Sequence, residues 1–458
     1  MSLRPRLRPR FRASLAPAGP SVRPSLSLVT SVNLKAPRRL AALLALVAVV
    51  AAACSERLDG GAACPSLCPI ANTAVLDTVL DAVVLDSTVA GFPVTGETSS
   101  LLLALRPGPD SVDVRAVIRF DTIPNRYFPP TGGDSVTITT ADSTTLSLRI
   151  DTAGTRFTQP LTIEAYDVDS TTAADTSAAL LTQLMRPARR LGSLTLQPGT
   201  IPDSVRVRIS DSAFVNRSRT TRRLRIGLRL VSTASATVRF QSAAGGLSTL
   251  GSRLTFDPVR DTTYQPVVVG TSSVTPSVPG VAASFQDFSF VARSSRAAIG
   301  SDLVVGGAPA QRVFVRFNVP RFLSDSTTIV RATLELVQRP ARGVAATDSV
   351  TLTPQGVVAT DSVRDVRRAA NLLASPTVLV LDSLRLAPSD SGRRAVSLVA
   401  LVRAWRALPT GTQRALVLRA SQEGVQVGEV RFFSTEAASG LRPRLRLSYI
   451  PRTDFGIP

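Results

Sequence analysis

Residues 330–337 read Val-Arg-Ala-Thr-Leu-Glu-Leu-Val, so apolar and polar side chains alternate along them. The same alternation runs through residues 112–120, Val-Asp-Val-Arg-Ala-Val-Ile-Arg-Phe, and residues 223–230, Arg-Leu-Arg-Ile-Gly-Leu-Arg-Leu. Successive side chains of a strand point to opposite faces, so this pattern predicts half-buried antiparallel strands. We therefore expect an all-β chain whose arginine rows face solvent.

Aspartate–serine pairs recur between these stretches. Their side chains cap turns by bonding backbone groups two residues further on, so we expect them at strand boundaries. Frequent turns between short alternating strands are typical of sandwiches and barrels. The aspartates of these pairs include Asp86, Asp110, Asp134, Asp142, Asp203, Asp211, Asp325, Asp348, Asp361 and Asp382.

The strand motifs recur in the same order, at offsets of 188 to 197 residues. This repeat predicts two tandem jelly-roll-like antiparallel β-sandwiches, at residues 73–258 and 281–451, with a linker at 259–280 and a tail at 452–458. Residues 271–283, rich in Pro, Ser and Gly, fit a linker. We expect residues 281–451 to fold alone. The echoed pairs are 117–121 with 314–318, 145–148 with 333–336, 222–230 with 414–420, 238–242 with 430–434, and 253–254 with 444–445.

One segment of the second repeat is predicted to be helical. Leu398, Leu401, Val402 and Trp405 have helical spacing, and Ser397 stands where a cap would be. Trp405 is the only tryptophan of the chain, and its apolar neighbours favour a place in the core over a role as a binding platform. The first repeat has no matching tryptophan segment in its sequence.

The amino terminus is predicted to direct export. Residues 40–53 are fourteen apolar or small residues preceded by Lys35, Arg38 and Arg39. A membrane-spanning helix needs about 20 such residues, so residues 1–53 are interpreted as a signal peptide. Residues 1–31, rich in Arg, Pro and Ser, lie outside a compact signal, and translation is expected to start near Val29 or Val32.

The end of this run, Ala51-Ala52-Ala53-Cys54-Ser55, resembles the lipobox of bacterial lipoproteins. The resemblance implies that Cys54 receives a lipid, that residues 54–72 form a tether, and that the protein is held at the outer membrane, on either its periplasmic or its outer face. An incidental cysteine after an ordinary signal is the alternative. Cys64 and Cys68 are expected to form a local disulfide in an oxidising compartment, with two free thiols as the alternative.

Charge and composition exclude several classes of function. The chain carries a net charge of +20, and its first 53 residues hold nine basic residues and no acid, which leaves +11 beyond them. The remaining arginines are spread along the chain rather than clustered among aromatic residues, which argues against nucleic-acid binding. There is no histidine, so no imidazole acts as a base or metal ligand in this chain. No cofactor is predicted.

Asp167, Asp169 and Asp175 form the densest acidic stretch. The stretch lacks the glycine and terminal glutamate of a calcium loop. A solvated loop is the favoured interpretation, followed by a structural calcium site and then by a catalytic role. A carboxylate-based polysaccharide-cleaving activity would need such acids.

The second repeat resembles the DNRLRE-type, disaggregatase-related β-sandwiches, which are grouped with carbohydrate-binding modules of the alginate-binding kind. The resemblance covers about 170 residues and implies a jelly-roll-like fold that attaches to extracellular polysaccharide or cell-surface material. It assigns no ligand residues, because the matching motifs are structural strands. They are Val315–Pro320, Arg331–Leu336, Ser397–Trp405, Phe433–Glu436 and Arg442–Tyr449.

These observations predict a non-catalytic, lipid-anchored envelope protein that binds polysaccharide. Aromatic residues are only 5% of the chain, whereas sugar sites commonly use aromatic faces. An arginine-lined groove for acidic sugars fits this composition better. The alternative is a structural or protein-interaction subunit of the envelope without a glycan ligand. The sequence makes no prediction of oligomeric state.

Overall fold

The computed structural model describes residues 74–92, 98–108, 111–121, 123–129, 132–170, 176–242, 251–258, 267–270, 287–295, 300–341, 348–357, 379–408 and 411–452. The predicted signal peptide and tether lie outside the described residues, and so do Cys54, Cys64, Cys68 and Asp175. Residues 73–458 form one compact unit.

The described residues form 26 strands, numbered in chain order. They are β1 (Leu76–Leu80), β2 (Val83–Phe92), β3 (Ser100–Arg106), β4 (Val112–Phe120), β5 (Arg126–Tyr127), β6 (Val136–Thr137), β7 (Asp142–Arg149), β8 (Arg156–Phe157), β9 (Leu161–Asp167), β10 (Arg190–Leu196), β11 (Ser204–Arg208), β12 (Leu224–Val231), β13 (Ala236–Gln241), β14 (Arg253–Asp257), β15 (Val267–Gly270), β16 (Asp287–Ser294), β17 (Leu303–Gly306), β18 (Ala310–Phe317), β19 (Thr327–Arg339), β20 (Val350–Val357), β21 (Leu379–Val380), β22 (Leu384–Leu386), β23 (Gly392–Ser397), β24 (Arg414–Ala420), β25 (Glu429–Phe432) and β26 (Arg444–Pro451).

Helices are short in the described part of the chain. They are α1 (Ala178–Leu184), α2 (Asp211–Arg219), α3 (Arg321–Asp325) and α4 (Val399–Trp405), with single 3-10 turns at Thr152–Gly154 and Pro187–Arg189. Among the described residues, no helix is long and apolar enough to cross a membrane.

The first sandwich contains two larger sheets. One has eight strands in the order β10–β9–β12–β4–β3–β13–β8, with β16 also paired to β4, and the other has the order β11–β7–β14–β15. Apolar side chains of both sheets meet in one core, which includes Ile118 and Phe240 from the first sheet and Leu146 and Phe256 from the second. A separate two-stranded sheet joins β5 and β6.

The second sandwich is built from one twelve-stranded sheet in the order β1–β26–β19–β25–β17–β18–β24–β20–β21, with β2 on β18, β22 on β20 and β23 on β19. Strand β19 joins its two halves, because its first part pairs with β26 and its last two residues pair with β25. Side chains of both halves share a second core. The predicted fold class, two antiparallel jelly-roll-like β-sandwiches, is confirmed.

The internal repeat extends to the strand register. The ladders β7–β14 and β19–β26 carry the echoed motifs, and their residues pair in the same way. The equivalent pairs are Leu146↔Leu254 with Leu334↔Leu445, and Ser147↔Arg253 with Glu335↔Arg444. The two sandwiches are therefore structural copies.

Each sandwich contains strands that the sequence analysis assigns to the other repeat. Strands β1 and β2 lie at the start of the first repeat, yet β1 pairs with β26 and β2 pairs with β18 of the second sandwich. Strand β16 lies at the start of the second repeat and pairs with β4 of the first sandwich. The sheets thus do not follow the predicted limits at residues 73 and 281, and the predicted linker 259–280 contains strand β15.

The first repeat lacks a tryptophan segment, but the structure places another short helix at the equivalent position. Helix α2 precedes β12 as α4 precedes β24, and equivalent backbone bonds, Ile209 N to Thr144 O and Leu398 N to Ala332 O, lead into each helix. Phe214 is fully buried there and packs on Phe256 with ring centroids 4.3 Å apart. The sequence comparison did not identify this helix, because its buried aromatic residue is a phenylalanine rather than a tryptophan and its length differs from that of α4.

Two predicted caps have other roles. Ser397 is the exposed last residue of β23 and does not cap α4. The N-cap position is held by Leu398, which makes no side-chain hydrogen bond to the helix. Asp86 lies inside strand β2 rather than in a turn, and its carboxylate accepts hydrogen bonds from the backbone N and Oγ1 of Thr435. Partners distant in sequence decide both outcomes.

Candidate functional site

The tryptophan helix α4 supports one wall of an open cleft in the second sandwich. Leu398, Leu401, Val402 and Trp405 are all buried, as their spacing predicted. The Trp405 ring lies 5.2 Å from the ring of Phe317, centroid to centroid, and only 4% of the residue is exposed. The predicted core position of Trp405 is confirmed.

The cleft beside this ring is lined by arginines and has a volume of about 740 Å³. Arg316 comes from the end of β18, Arg321 from α3, Arg406 from the position directly after α4, and Arg414 from the start of β24. Among the described residues that line the cleft, Asp325 is the only acidic one. The side chains of this arginine cleft thus carry four positive charges and one negative charge.

Two of these arginines are held in place by neighbouring groups. Arg316 donates from Nη1 to Oε1 of Gln413 at 3.1 Å, and Arg414 donates from Nη1 to the carbonyl of Val319 at 2.7 Å. Burial lowers the pKa of Arg414 below its usual value, Arg321 lowers it further, and Asp325 opposes the shift. An anion in the cleft would relieve the repulsion between Arg321 and Arg414.

The acidic stretch of the first sandwich has a different environment from the one predicted. The carboxylate of Asp169 is 1% exposed and lies 2.8 Å from Nε of Arg223 and 3.2 Å from Nη1 of Arg217. Asp167 lies 2.6 Å from Nη2 of Arg217 and 3.4 Å from Arg189. The expectation of a solvated loop is therefore wrong for these two aspartates, because three arginines folded against them from distant segments.

This arrangement also bears on the calcium interpretation. The carboxylate oxygens of Asp167 and Asp169 already accept from guanidinium groups, whose charge would repel a cation. Among the described residues there is no group of three His, Cys, Asp or Glu side chains that could hold a metal.

A second buried acid is held on strand β9. Glu164 accepts a hydrogen bond from Tyr166 Oη at 2.6 Å and one from Arg229 Nε at 2.7 Å. Burial alone would raise the pKa of Glu164, but the hydrogen bonds from Tyr166, Arg229 and Arg190 outweigh it and hold the pKa below its usual value. Burial and the bond to Glu164 raise the pKa of Tyr166 to about 12.

The prediction that the arginine rows face solvent is wrong for several arginines. Arg225 is 2% exposed, Arg312 is 5% exposed, and Arg239 is 8% exposed. Arg312 forms a two-bond pair with Glu423, at 2.8 Å and 2.7 Å, in which the side chains are 6% and 3% exposed. Buried charges of this kind are tolerated where a partner is present, and the sequence pattern does not reveal such partners.

Arg239 spans the junction between the two sandwiches. Its guanidinium pairs with Asp151 of the first sandwich at 2.7 Å and donates to Gln422 Oε1 of the second at 3.2 Å. A Cβ at position 154 would lie 1.5 Å from Nε of Arg239, so only glycine leaves room for this side chain. An apolar cluster lies beside the Arg239–Asp151 ion pair and contains residues of both sandwiches. Its members are Leu102, Ala104, Val112, Val114, Ala308 and Val427.

No family model matches the chain, and no curated protein matches it. Among solved structures, the T13 particle of the virus IBDV aligns at 11% identity and a TM-score of 0.14, over 82% of this chain and 74% of that one. The tandem CBM22-1–CBM22-2 domain of Xyn10C from Paenibacillus barcinonensis aligns at 10% identity and a TM-score of 0.13, over 82% of this chain and 93% of that one. Scores this low carry no argument about function.

Proposed function

We propose that the chain is a non-catalytic envelope protein whose second sandwich binds an acidic polysaccharide through the arginine cleft. The observation that carries the proposal is the grouping of Arg316, Arg321, Arg406 and Arg414 around one open cleft with a single acid. Guanidinium groups bind carboxylate and sulfate oxygens through paired hydrogen bonds, so this lining suits uronate or sulfated sugars. The resemblance of this repeat to DNRLRE-type sandwiches agrees with such a ligand.

The state of the buried acids supports a binding role over a catalytic one. Glycoside hydrolysis needs a carboxylic acid and a carboxylate that face the substrate. Glu164, Asp167, Asp169 and Glu423 are instead held by arginine partners within the protein. These contacts support structural roles for the four carboxylates.

Binding is tested by titrating the full chain with polyuronate, with a sulfated glycan, with a neutral glucan and with a DNA oligonucleotide. We expect the two acidic glycans to bind and the glucan not to bind. Tighter binding of the oligonucleotide than of either glycan would contradict the choice of ligand. Arg321→Glu combined with Arg406→Glu should weaken glycan binding by about tenfold or more, which corresponds to about 1.4 kcal/mol.

A matched control separates the cleft from general attraction to a basic protein. Arg206→Glu combined with Arg393→Glu changes the net charge equally at exposed strand positions outside the cleft. This control should bind within about twofold of the parent at 0.15 M salt, where distant exposed charges are screened. Equal losses in both double variants would refute a specific cleft.

We further propose that Cys54 carries the lipid that holds the protein on the outer membrane. The apolar run that ends at this cysteine supports the proposal. Cys54→Ser should abolish lipidation and either release the protein or stall its processing. Mass spectrometry of the mature amino terminus tests this, and an unmodified Cys54 within a longer chain would contradict it.

A further inference from the structure

Strands β1 and β2 are a pair of consecutive strands that both join the sheet of the second sandwich, each on a different strand. Leu76 of β1 pairs with Tyr449, and Leu85 of β2 pairs with Arg316. The covalent neighbour of this pair is β3 of the first sandwich. Among the described residues, β1 and β2 make no strand pairing with that sandwich.

The seat of this pair on the second sandwich is specific. Asp86 accepts from the backbone N of Thr435 at 2.7 Å and from its Oγ1 at 3.0 Å. Thr88 donates from Oγ1 to the carbonyl of Asp302 at 3.2 Å and accepts from the backbone N of Val304 at 3.1 Å. Val83 and Val89 are at least nine-tenths buried. A strand of different sequence would not make these contacts.

The first sandwich has an equivalent strand pair from a different place in the chain. β15 pairs with β14, the counterpart of β26, and β16 pairs with β4, the counterpart of β18. Asp287 of β16 faces Ile118, as Asp86 faces Val315 at the echoed position. The side chain of Asp287 accepts from Ser242 Oγ at 3.1 Å. β15 and β16 follow their sandwich in the chain, whereas β1 and β2 precede theirs by more than 200 residues.

We propose that the second sandwich also accepts β1 and β2 from a second copy of this chain, so that copies join by strand exchange. The exchanged pair makes the same contacts as the chain's own pair, so exchange costs little beyond the loss of the covalent link. The covalent link to β3 gives the chain's own β1 and β2 an effective concentration in the millimolar range at the second sandwich. The strands of a second copy compete with them only when the protein concentration approaches this range. Each copy donates β1 and β2 and accepts those of another copy, so exchange between two copies closes a twofold dimer, and exchange along a series of copies builds rings or open chains.

The proposal is tested with single cysteines that meet only where β1 lies on β26. Val79 faces Arg446 across this ladder, and both side chains are exposed. Val79→Cys is introduced into one full chain and Arg446→Cys into another, with Cys54, Cys64 and Cys68 replaced by Ser in both. The two chains are unfolded together, refolded in mild detergent at rising concentration and treated with a short bis-maleimide. Asp81 and Arg444, whose side chains lie 3.1 Å apart, provide a second pair for the same experiment.

Strand exchange predicts a cross-linked dimer of one Val79→Cys chain and one Arg446→Cys chain, with a yield that rises with protein concentration. The control mixture pairs Val79→Cys with Arg393→Cys, an exposed position on β23 that does not face β1. The dimer yield should exceed this control by about tenfold at 1 mM, the effective concentration of the link. A chain that carries both cysteines reports correct seating by an internal cross-link. Internal cross-linking in that chain, with no more dimer in the mixture than in the control at any concentration and with either pair, would overturn the proposal.

Discussion

The fragment 281–451, which the sequence predicts to fold alone, should be unstable because it lacks β1 and β2. The missing strands bury Ala82 and Val83 in the core of the second sandwich. Full burial of a valine contributes about 1.5–3 kcal/mol, and the fragment also loses the contacts of Asp86 and the ladders that join β1 to β26 and β2 to β18. A domain of this size is stable by only about 5–15 kcal/mol in total. We expect the fragment to lose most of its cooperative unfolding.

A matched fusion variant adds β1 and β2 after β26. This is the order in which β15 and β16 follow β14 in the first sandwich. β26 and β1 are antiparallel, and the end of β26 lies beside the start of β1, because Tyr449 faces Leu76. A two-residue Asn-Gly turn between residues 451 and 74, followed by residues 74–92, keeps this register and should therefore continue the sheet as a hairpin. Guanidinium denaturation, followed by circular dichroism, compares this fusion with fragment 281–451. An unfolding free energy of the fragment within about 1 kcal/mol of the fusion would refute the reasoning.

Three further predictions concern single side chains. Trp405→Ala should cost about 3–5 kcal/mol in denaturant unfolding, because the ring is buried against Phe317, and Trp405 emission in the parent should be blue-shifted. Glu423→Gln should cost about 3–5 kcal/mol because it leaves Arg312 without its buried counter-charge, whereas Glu335→Gln, whose partner Arg393 is 65% exposed, should cost less than about 1 kcal/mol. Similar losses in both glutamine variants would contradict the burial argument. The raised pKa of Tyr166 means that its contribution to stability is complete below pH 10 and is lost as the pH rises through about 12. Tyr166→Phe should remove that alkaline loss in a pH series of thermal unfolding, and an unchanged alkaline loss would contradict it.

Local patterns predicted the parts of this fold that depend on local forces. Alternation identified strands such as β4, β12 and β19, and helical spacing identified the buried face that contains Trp405. The order of echoed motifs predicted two repeated sandwiches, and the structure adds that Leu146 pairs with Leu254 as Leu334 pairs with Leu445. In each case the residues that determine the type of the element lie within that element.

Long-range partners explain what the sequence did not show. Nothing within residues 76–92 indicates that they pair with strands more than 200 residues away, and nothing near Arg312 indicates that Glu423 will neutralise it. The arginine cleft was predicted only as a kind of site, because its four arginines come from four separate segments. A solvent-facing arginine and a buried one have the same alternating pattern, and tertiary contacts decide between them.

The antiparallel pairing of β1 with β26 has a mechanical consequence. The start of β1 and the end of β26 lie side by side, so a force that pulls Ala74 away from Arg452 acts first on the pair Leu76–Tyr449. Its hydrogen bonds then break one after another, as in the opening of a zipper, whereas a parallel arrangement would load all of them at once in shear. β1 is thus the first strand to leave under tension, at low force, and its departure opens the edge of the second sandwich at Leu447 while the sheets of the first sandwich carry none of the load.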